Sequence, residues 1–148
     1  MDFQLTDRAI DPAALLGGMG DTSAGACVTF EGRVRDHSEG RTVRALDYEA
    51  YGTLAQREGE RILREARDRF PLVGAACVHR TGSLSLGDIA VWVAVTAAHR
   101  GAAFEACRYI IDEIKARLPI WKKEHYAGGS SEWVNCATRG PDGVTGIK

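Results

Sequence analysis

Two stretches of the chain repeat apolar residues every three or four positions, and several shorter ones alternate or run continuously apolar. Ala103, Cys107, Ile110, Ile111, Ile114 and Leu118 share one face of a helix. Leu54, Ile62, Leu63, Ala66 and Phe70 form the stripe of a second, running from about Leu54 to Phe70. Both stop at a proline, Pro119 and Pro71, which lacks an N–H and crowds the preceding turn. Residues 25–35 (GACVTFEGRVR) alternate as a strand does, and the β-rich 42–51 returns after a polar connection at Asp36–Gly40. Gly74–Arg80 is a short apolar strand, Leu84–Asp88 a turn, and Ile89–Ala98 a strand apolar on both faces. Residues 1–23 read as an extended arm with a short helix near Pro12–Leu16, broken by Gly17-Gly18-Met19-Gly20. A glycine-serine loop, Gly128 to Ser131, precedes a last short strand around Glu132–Val134, and the polar tail 136–148 is expected to be mobile. The order strand–strand–helix–strand–strand–helix–strand predicts one α+β domain over 1–148, with two main helices covering one side of a mostly antiparallel sheet.

Composition narrows the function classes. The net charge of −1 offers no global field to recruit nucleic acid or an anionic membrane, so any anion site must be local. No apolar run approaches the ~18 residues of a membrane helix, and the N-terminus lacks a basic segment followed by an apolar run, so no signal peptide is expected. Cys27, Cys77, Cys107 and Cys136 lie far apart without metal-ligand spacing, so no zinc site and no bound cofactor is expected. The first three sit in apolar surroundings, where a thiol behaves as a small buried hydrophobe, and a reducing, cytoplasmic home follows. The glycine-rich runs match neither a P-loop nor a dinucleotide fingerprint.

Chemistry concentrates around the second long helix. Lys115 stands in its last turns, and Lys122 follows seven positions later, just past the break at Pro119. A helix end and the segment folding back from it can aim two ammonium groups at one point. His99-Arg100-Gly101 opens the same helix, where free N–H groups and the dipole favour an anion. Each feature has a plainer reading: lysines suit a helix C-terminus, and Lys122-Lys123-Glu124 has the composition of a solvated surface. Arg33 and Arg35 could grip a phosphate or carboxylate, or simply blunt an edge strand. His79-Arg80 leads into a turn and reads as mainly structural, and Tyr48, Glu49 and Tyr51 as strand packing or pocket lining. A lysine set among Ile120, Trp121 and other cations would have a depressed pKa, making it a usable base or nucleophile. The residues alone therefore point to an anionic, phosphorylated small molecule, with lysine as acid/base or covalent partner.

The segments GACVTFEGRVR (25–35), LDYEAY (46–51), HRTG (79–82), AAHRGAAFEACRYIIDEIK (97–115) and PIWKKE (119–124) closely resemble, in order, the MoaE family of large, catalytic molybdopterin synthase subunits. The resemblance implies an α/β hammerhead-type fold with an added β subdomain, and a sulfurtransferase activity. A small ubiquitin-like subunit of the MoaD type would bring a thiocarboxylate on its C-terminal Gly-Gly. The large subunit would insert sulfur twice into cyclic pyranopterin monophosphate, giving the dithiolene of molybdopterin. By the same resemblance Lys115 and Lys122 are catalytic, and Arg35, His99 and Arg100 bind the pterin and its phosphate. A homodimer within a heterotetramer is implied, with Arg35 or Arg100 supplied across the dimer interface. An arginine that some members carry shortly after the tryptophan matching Trp133 is replaced here by Val134-Asn135-Cys136-Ala137, and Arg139 is the candidate to stand in. The ending Gly146-Ile147-Lys148 lacks a terminal Gly-Gly, so no fused small subunit is expected. Two other readings compete: a non-catalytic scaffold for a ubiquitin-like partner, which intact lysines argue against, and a lysine Schiff-base enzyme acting on a phosphorylated carbonyl compound.

Overall fold

A computed structural model describes residues 3–136. Its elements run β1 (Phe3–Thr6), α1 (Pro12–Gly17), β2 (Ala26–Arg33), β3 (His37–Ser38), β4 (Arg41–Ala50), α2 (Gly52–Arg69), β5 (Gly74–Arg80), β6 (Gly82–Ser85), β7 (Ile89–Ala97), α3 (Arg100–Arg117), β8 (Ile120–Tyr126) and β9 (Ser131–Asn135). They build an α+β fold of two sheets. The first is four-stranded in the order β1-β5-β7-β2, and only its β1–β5 pairing is parallel. The second is five-stranded, in the order β3-β4-β8-β9 with β6 added on β4, and is antiparallel throughout.

The apolar character of β7 on both faces has a direct use. Val91, Val93 and Val95 enter the main core under α2 and α3, and Trp92 and Ala94 enter a smaller cluster with Met19, Ala76 and Val78. Leu15 and Leu16 of α1 pack on that second cluster, so the first sheet is covered on both sides and not on one side only. Fully burying side chains such as Ile62, Leu63 and Ile110 contributes about 1.5–3 kcal/mol each. On α2 the buried stripe is Ala55, Gly59, Ile62, Leu63 and Ala66. Leu54, expected on it, is 56% exposed, because it lies one residue, about 100° of helical turn, away from that stripe. Gly59 is required: a Cβ there would run into the Phe3 ring, which sits directly on the helix. Of the thiols expected to be buried, Cys77 and Cys107 are, and Cys27 on the edge strand β2 is exposed.

The segment expected to turn at Leu84–Asp88 is instead partly strand. Gly82–Ser85 pairs with β4, Leu46 opposite Leu84, and the turn is confined to the residues around Gly87, whose φ is +85°. A single buried side chain, Leu84, leaves too short an alternation to read from sequence. The β3–β4 hairpin closes through Glu39 and Gly40, with φ of +49° and +80°, the two left-handed positions that a tight primed turn demands.

The C-terminal end of α3 is tied to α2 by one arginine. Arg117 donates to Glu58 at 2.7 Å, to Glu65 at 2.6 and 3.0 Å, and to Glu113 at 3.0 Å. Tyr109 also donates to Glu65, at 2.8 Å. These bonds hold the Glu65 carboxyl down at about 2 and push the Arg117 guanidinium up. Lys115 stands two residues before this anchor.

Candidate active site

The helix period ends at Leu118, whose backbone is extended (φ −69°, ψ 130°) as the residue before Pro119 must be. From Ile120 the side-chain period becomes two. Ile120 and Glu124 are buried, Lys122 is partly so, and Tyr126 closes the row, whereas Trp121 projects from the other face at 37% exposure. The antiparallel register sets Lys122 opposite Tyr48 and Glu124 opposite Leu46. Lys122 is thereby folded back toward Lys115 in the last turn of α3, and both side chains line one cavity of about 230 Å³.

The cavity floor is apolar, formed by Val34, Val43, Leu46, Val91, Ile114, Leu118 and Ile120. Its polar wall carries Arg33, Arg35, Lys115 and Lys122 against one carboxylate, Glu124, together with His37, Tyr48, His79 and Cys136. Four cations against one anion on a partly apolar cleft make a seat for an anionic molecule with a flat or apolar body. Arg33 and Arg35 flank buried Val34, which is pinned by Val34 N–H to Asp88 O at 3.0 Å and Gly87 N–H to Val34 O at 2.9 Å. Arg33 also donates to Glu31 at 2.6 and 3.1 Å.

Glu124 and His79, which sequence reading leaves as surface and structure, belong to this wall, and Tyr48, read as packing or pocket lining, lines it too. Glu124 is 3% exposed, stands 3.6 Å from the Lys122 ammonium and accepts from the Tyr126 hydroxyl at 2.9 Å. It is therefore no part of a solvated Lys-Lys-Glu surface. The alternation Ile120, Lys122, Glu124, Tyr126 was the available signal, once Pro119 is taken as the switch from helix to strand. Tyr48 is buried and meets the His79 ring edge-on, with centroids 5.2 Å apart and planes at 82°. His79 itself is 7% exposed, and burial first, with the Lys115 charge adding, lowers its pKa to about 4 against the opposing pull of its bond to Arg80 O. The ring is neutral at physiological pH. Its neighbour Arg80 is structural as expected, donating to the carbonyls of Asp7 and Ser83 at 3.3 Å each.

Arg35, Lys115 and Lys122 are thus brought together on one cavity of the chain, and His99 and Arg100 are not. Both of the latter are exposed at the opposite end of α3, about 24 Å from Lys115 along the axis at 1.5 Å per residue. The separation has a simple cause: the start and the end of an 18-residue helix cannot line one small cavity in the same chain. The expected place of Trp121 beside the lysines is also corrected, since strand alternation turns it outward, whereas Ile120 does line the cavity. Arg139 lies outside the described residues. No group of three or more potential metal ligands occurs among the described residues, and no helix there is long and apolar enough to cross a membrane.

The family model described as MoaE protein matches residues 5–117 of the chain. The chain belongs to the MoaE family. Among its relatives, the molybdopterin synthase catalytic subunit of Oryza sativa subsp. indica is 51% identical over 120 residues, which is 81% of this chain and 62% of the rice protein. The chain thus spans less than two thirds of the rice relative's length. The protein of the same name from Thermoplasma volcanium is 43% identical over 130 residues, covering 88% of this chain and 95% of its own. The X-ray structure of molybdopterin synthase from Staphylococcus aureus superposes with a TM-score of 0.84 at 34% identity, over 90% of this chain and 96% of that one. The two-sheet architecture that carries the lysine cavity is accordingly a MoaE fold.

Proposed function

We propose that this MoaE-family chain is the catalytic subunit of a molybdopterin synthase, a sulfurtransferase acting on cyclic pyranopterin monophosphate. The observation that carries the reading is the meeting of Lys115 and Lys122 with Arg35 on one electropositive, partly apolar cavity. A pterin offers a flat ring for the apolar floor, and its phosphate an anion for the guanidinium groups. The sulfur donor is the thiocarboxylate at the C-terminal glycine of a small ubiquitin-like subunit, whose extended tail enters the same cavity. In each of two transfers a C–S bond forms on the pterin as a C–O bond at the same carbon breaks and its oxygen leaves, the acyl C–S bond of the donor breaks, and water supplies the oxygen of the donor's carboxylate. Lys115 acts at the donor's acyl carbon, and Lys122, held by Glu124, holds negative charge at the reacting end.

His99 and Arg100 enter this scheme through a second copy of the chain. Strand β2 is an edge of the first sheet, and it exposes Cys27 and Phe30. Ala26 at its start pairs with Ala97, beside the beginning of α3, and Arg33 at its end lines the cavity. Two β2 edges paired antiparallel about a two-fold axis set the start of one strand beside the end of the other. His99 and Arg100 of each protomer then approach Arg33 and Arg35 of its partner, completing the phosphate seat in a homodimer that carries one small subunit at each end.

The test is conversion of the pterin precursor by purified chain with thiocarboxylated small subunit. Lys115→Ala is expected to abolish product with the dimer intact, and full turnover in that variant removes Lys115 from the mechanism. Mixing Lys115→Ala with Arg100→Ala protomers distinguishes the two placements of Arg100. A site shared between protomers regains about a quarter of the wild-type rate after random exchange, and a site contained in one chain regains none.

A further inference from the structure

We propose that His79 is a positioning residue for Lys115, presenting on the cavity wall an uncharged lone pair that orients the lysine's side-chain nitrogen. The inference rests on the synthase reading of this cavity and adds to it a residue with a defined tautomer.

The tautomer follows from one bond. His79 Nδ1 lies 2.8 Å from the carbonyl oxygen of Arg80. A carbonyl oxygen only accepts, so Nδ1 carries the proton, and in the neutral ring Nε2 carries the lone pair. The ring cannot easily turn away from this arrangement, because it is 7% exposed and its face-to-edge contact with Tyr48 fixes its plane. Among the described residues Nε2 takes no hydrogen bond, yet the buried side-chain polar atoms without a partner there are Arg80 Nε and Trp92 Nε1 only. Nε2 is therefore not sealed inside protein; it opens on the cavity that His79 and Lys115 both line.

The surroundings decide what this lone pair does. Lys115 of α3, Tyr48 of β4, Lys122 and Glu124 of β8, His37 of β3, Arg33 at the end of β2 and Arg35 just after it line the same cavity as the ring. An imidazolium among these cations would repel the lysine, and burial keeps the ring neutral down to a pKa of about 4. What remains is a neutral acceptor that aims an amine or ammonium without cancelling its charge. Lys122, by contrast, faces a carboxylate, Glu124, 3.6 Å away. The two lysines of one cavity thus receive different neighbours and different tasks.

The experiment uses the full chain with its small subunit and two variants. His79→Phe keeps an aromatic ring against Tyr48 and removes the acceptor, and His79→Gln restores an acceptor near the position of Nε2. Expected are a fall in kcat of about tenfold or more in His79→Phe, with KM for pterin and donor changed less than about twofold, and substantial recovery in His79→Gln. Independently of turnover, the pH dependence of Lys115 acetylation by acetic anhydride is read by mass spectrometry. With the His79 acceptor removed, its midpoint should fall by about half a unit or more in His79→Phe and return in His79→Gln, with the Lys122 midpoint unmoved. An unchanged Lys115 midpoint in His79→Phe overturns the proposal. So does a wild-type 15N spectrum with the His79 proton on Nε2, a measurement that stands if the Phe variant fails to fold. If the wild type does not convert the pterin, the synthase reading falls, and the labelling and the tautomer still judge His79.

Discussion

Arg117 closes the end of α3 against α2, and replacing it by Met tests whether that closure stabilises the fold. The methionine keeps most of the stem's apolar contact and removes the guanidinium that satisfies Glu58, Glu65 and Glu113. The lowering of Glu65 from 4.5 to about 2 corresponds to about 3 kcal/mol at 1.36 kcal/mol per pKa unit. Part of that belongs to the Tyr109 hydroxyl, and the Glu65 side chain is 33% exposed, so screening leaves about 1–2 kcal/mol for Arg117. Three carboxylates left around a missing cation add repulsion, which brings the expected loss to about 2–3 kcal/mol. For a domain of this size that is a fall in Tm of about 5–10 °C.

The pH dependence gives a second handle. Glu65 has a folded-state pKa below its unfolded one, so its contribution is fully present above about 4.5 and is lost as pH falls toward about 2. In Arg117→Met that carboxyl returns toward its ordinary range. The gap between variant and wild type in urea midpoint should therefore be largest at pH 7 and shrink steadily between pH 5 and pH 2.5. Equal midpoints at pH 7, or a gap undiminished in acid, would refute the assignment of stability to this ion cluster.

Two further outcomes follow from contacts at the site and in the core. Glu124→Gln keeps shape and the bond from Tyr126 but leaves Lys122 facing no carboxylate at that position; a loss of about 1–3 kcal/mol in chemical denaturation and a fall in pterin conversion larger than any change in KM are expected, and wild-type kcat would show that Lys122 needs no counter-charge. Gly59→Ala drives a methyl into the Phe3 ring; a destabilisation of about 1–3 kcal/mol is expected, and a neutral or stabilising result by urea denaturation would mean that β1 shifts freely.

What the sequence made legible is what periodicity and chain-breaking residues encode. The helix over residues 100–117, its stop before Pro119 and the two-sided burial of β7 all follow from spacing, and so does the pairing of Lys115 with Lys122. Long-range register was not legible. Nothing local in Gly82–Ser85 announces that Leu84 lies opposite Leu46, and nothing in Lys122-Lys123-Glu124 announces that the glutamate is the buried member. His79 reads as structural from sequence because it leads into a turn, and its bond to Arg80 O is structural; that the ring also lines the cavity, edge-on to Tyr48, is set by long-range packing. His99 and Arg100 were grouped with the lysines because they share a helix, and the length of that helix is what separates them in one chain.

The break at Pro119 explains why two lysines seven positions apart can do different things to one ligand. In an uninterrupted helix they would stand two turns apart, about 10.5 Å along one face, and meet the same surroundings. Here one lysine belongs to a helix end anchored by Arg117, the other to a strand whose alternation places Glu124 two residues on, on the same face. Each side of the cavity is thus stiffened by a separate packing arrangement, and the angle between helix and strand sets how the two amines converge. A proline at that point removes the N–H that would continue the helix, and Leu118 N–H to Ile114 O at 3.1 Å closes its last turn. Any substitution that let α3 run on through 119 would carry Lys122 off the wall of β8 and away from Glu124. The strand register between Tyr48 and Lys122 is therefore as much a part of the site as the amines themselves.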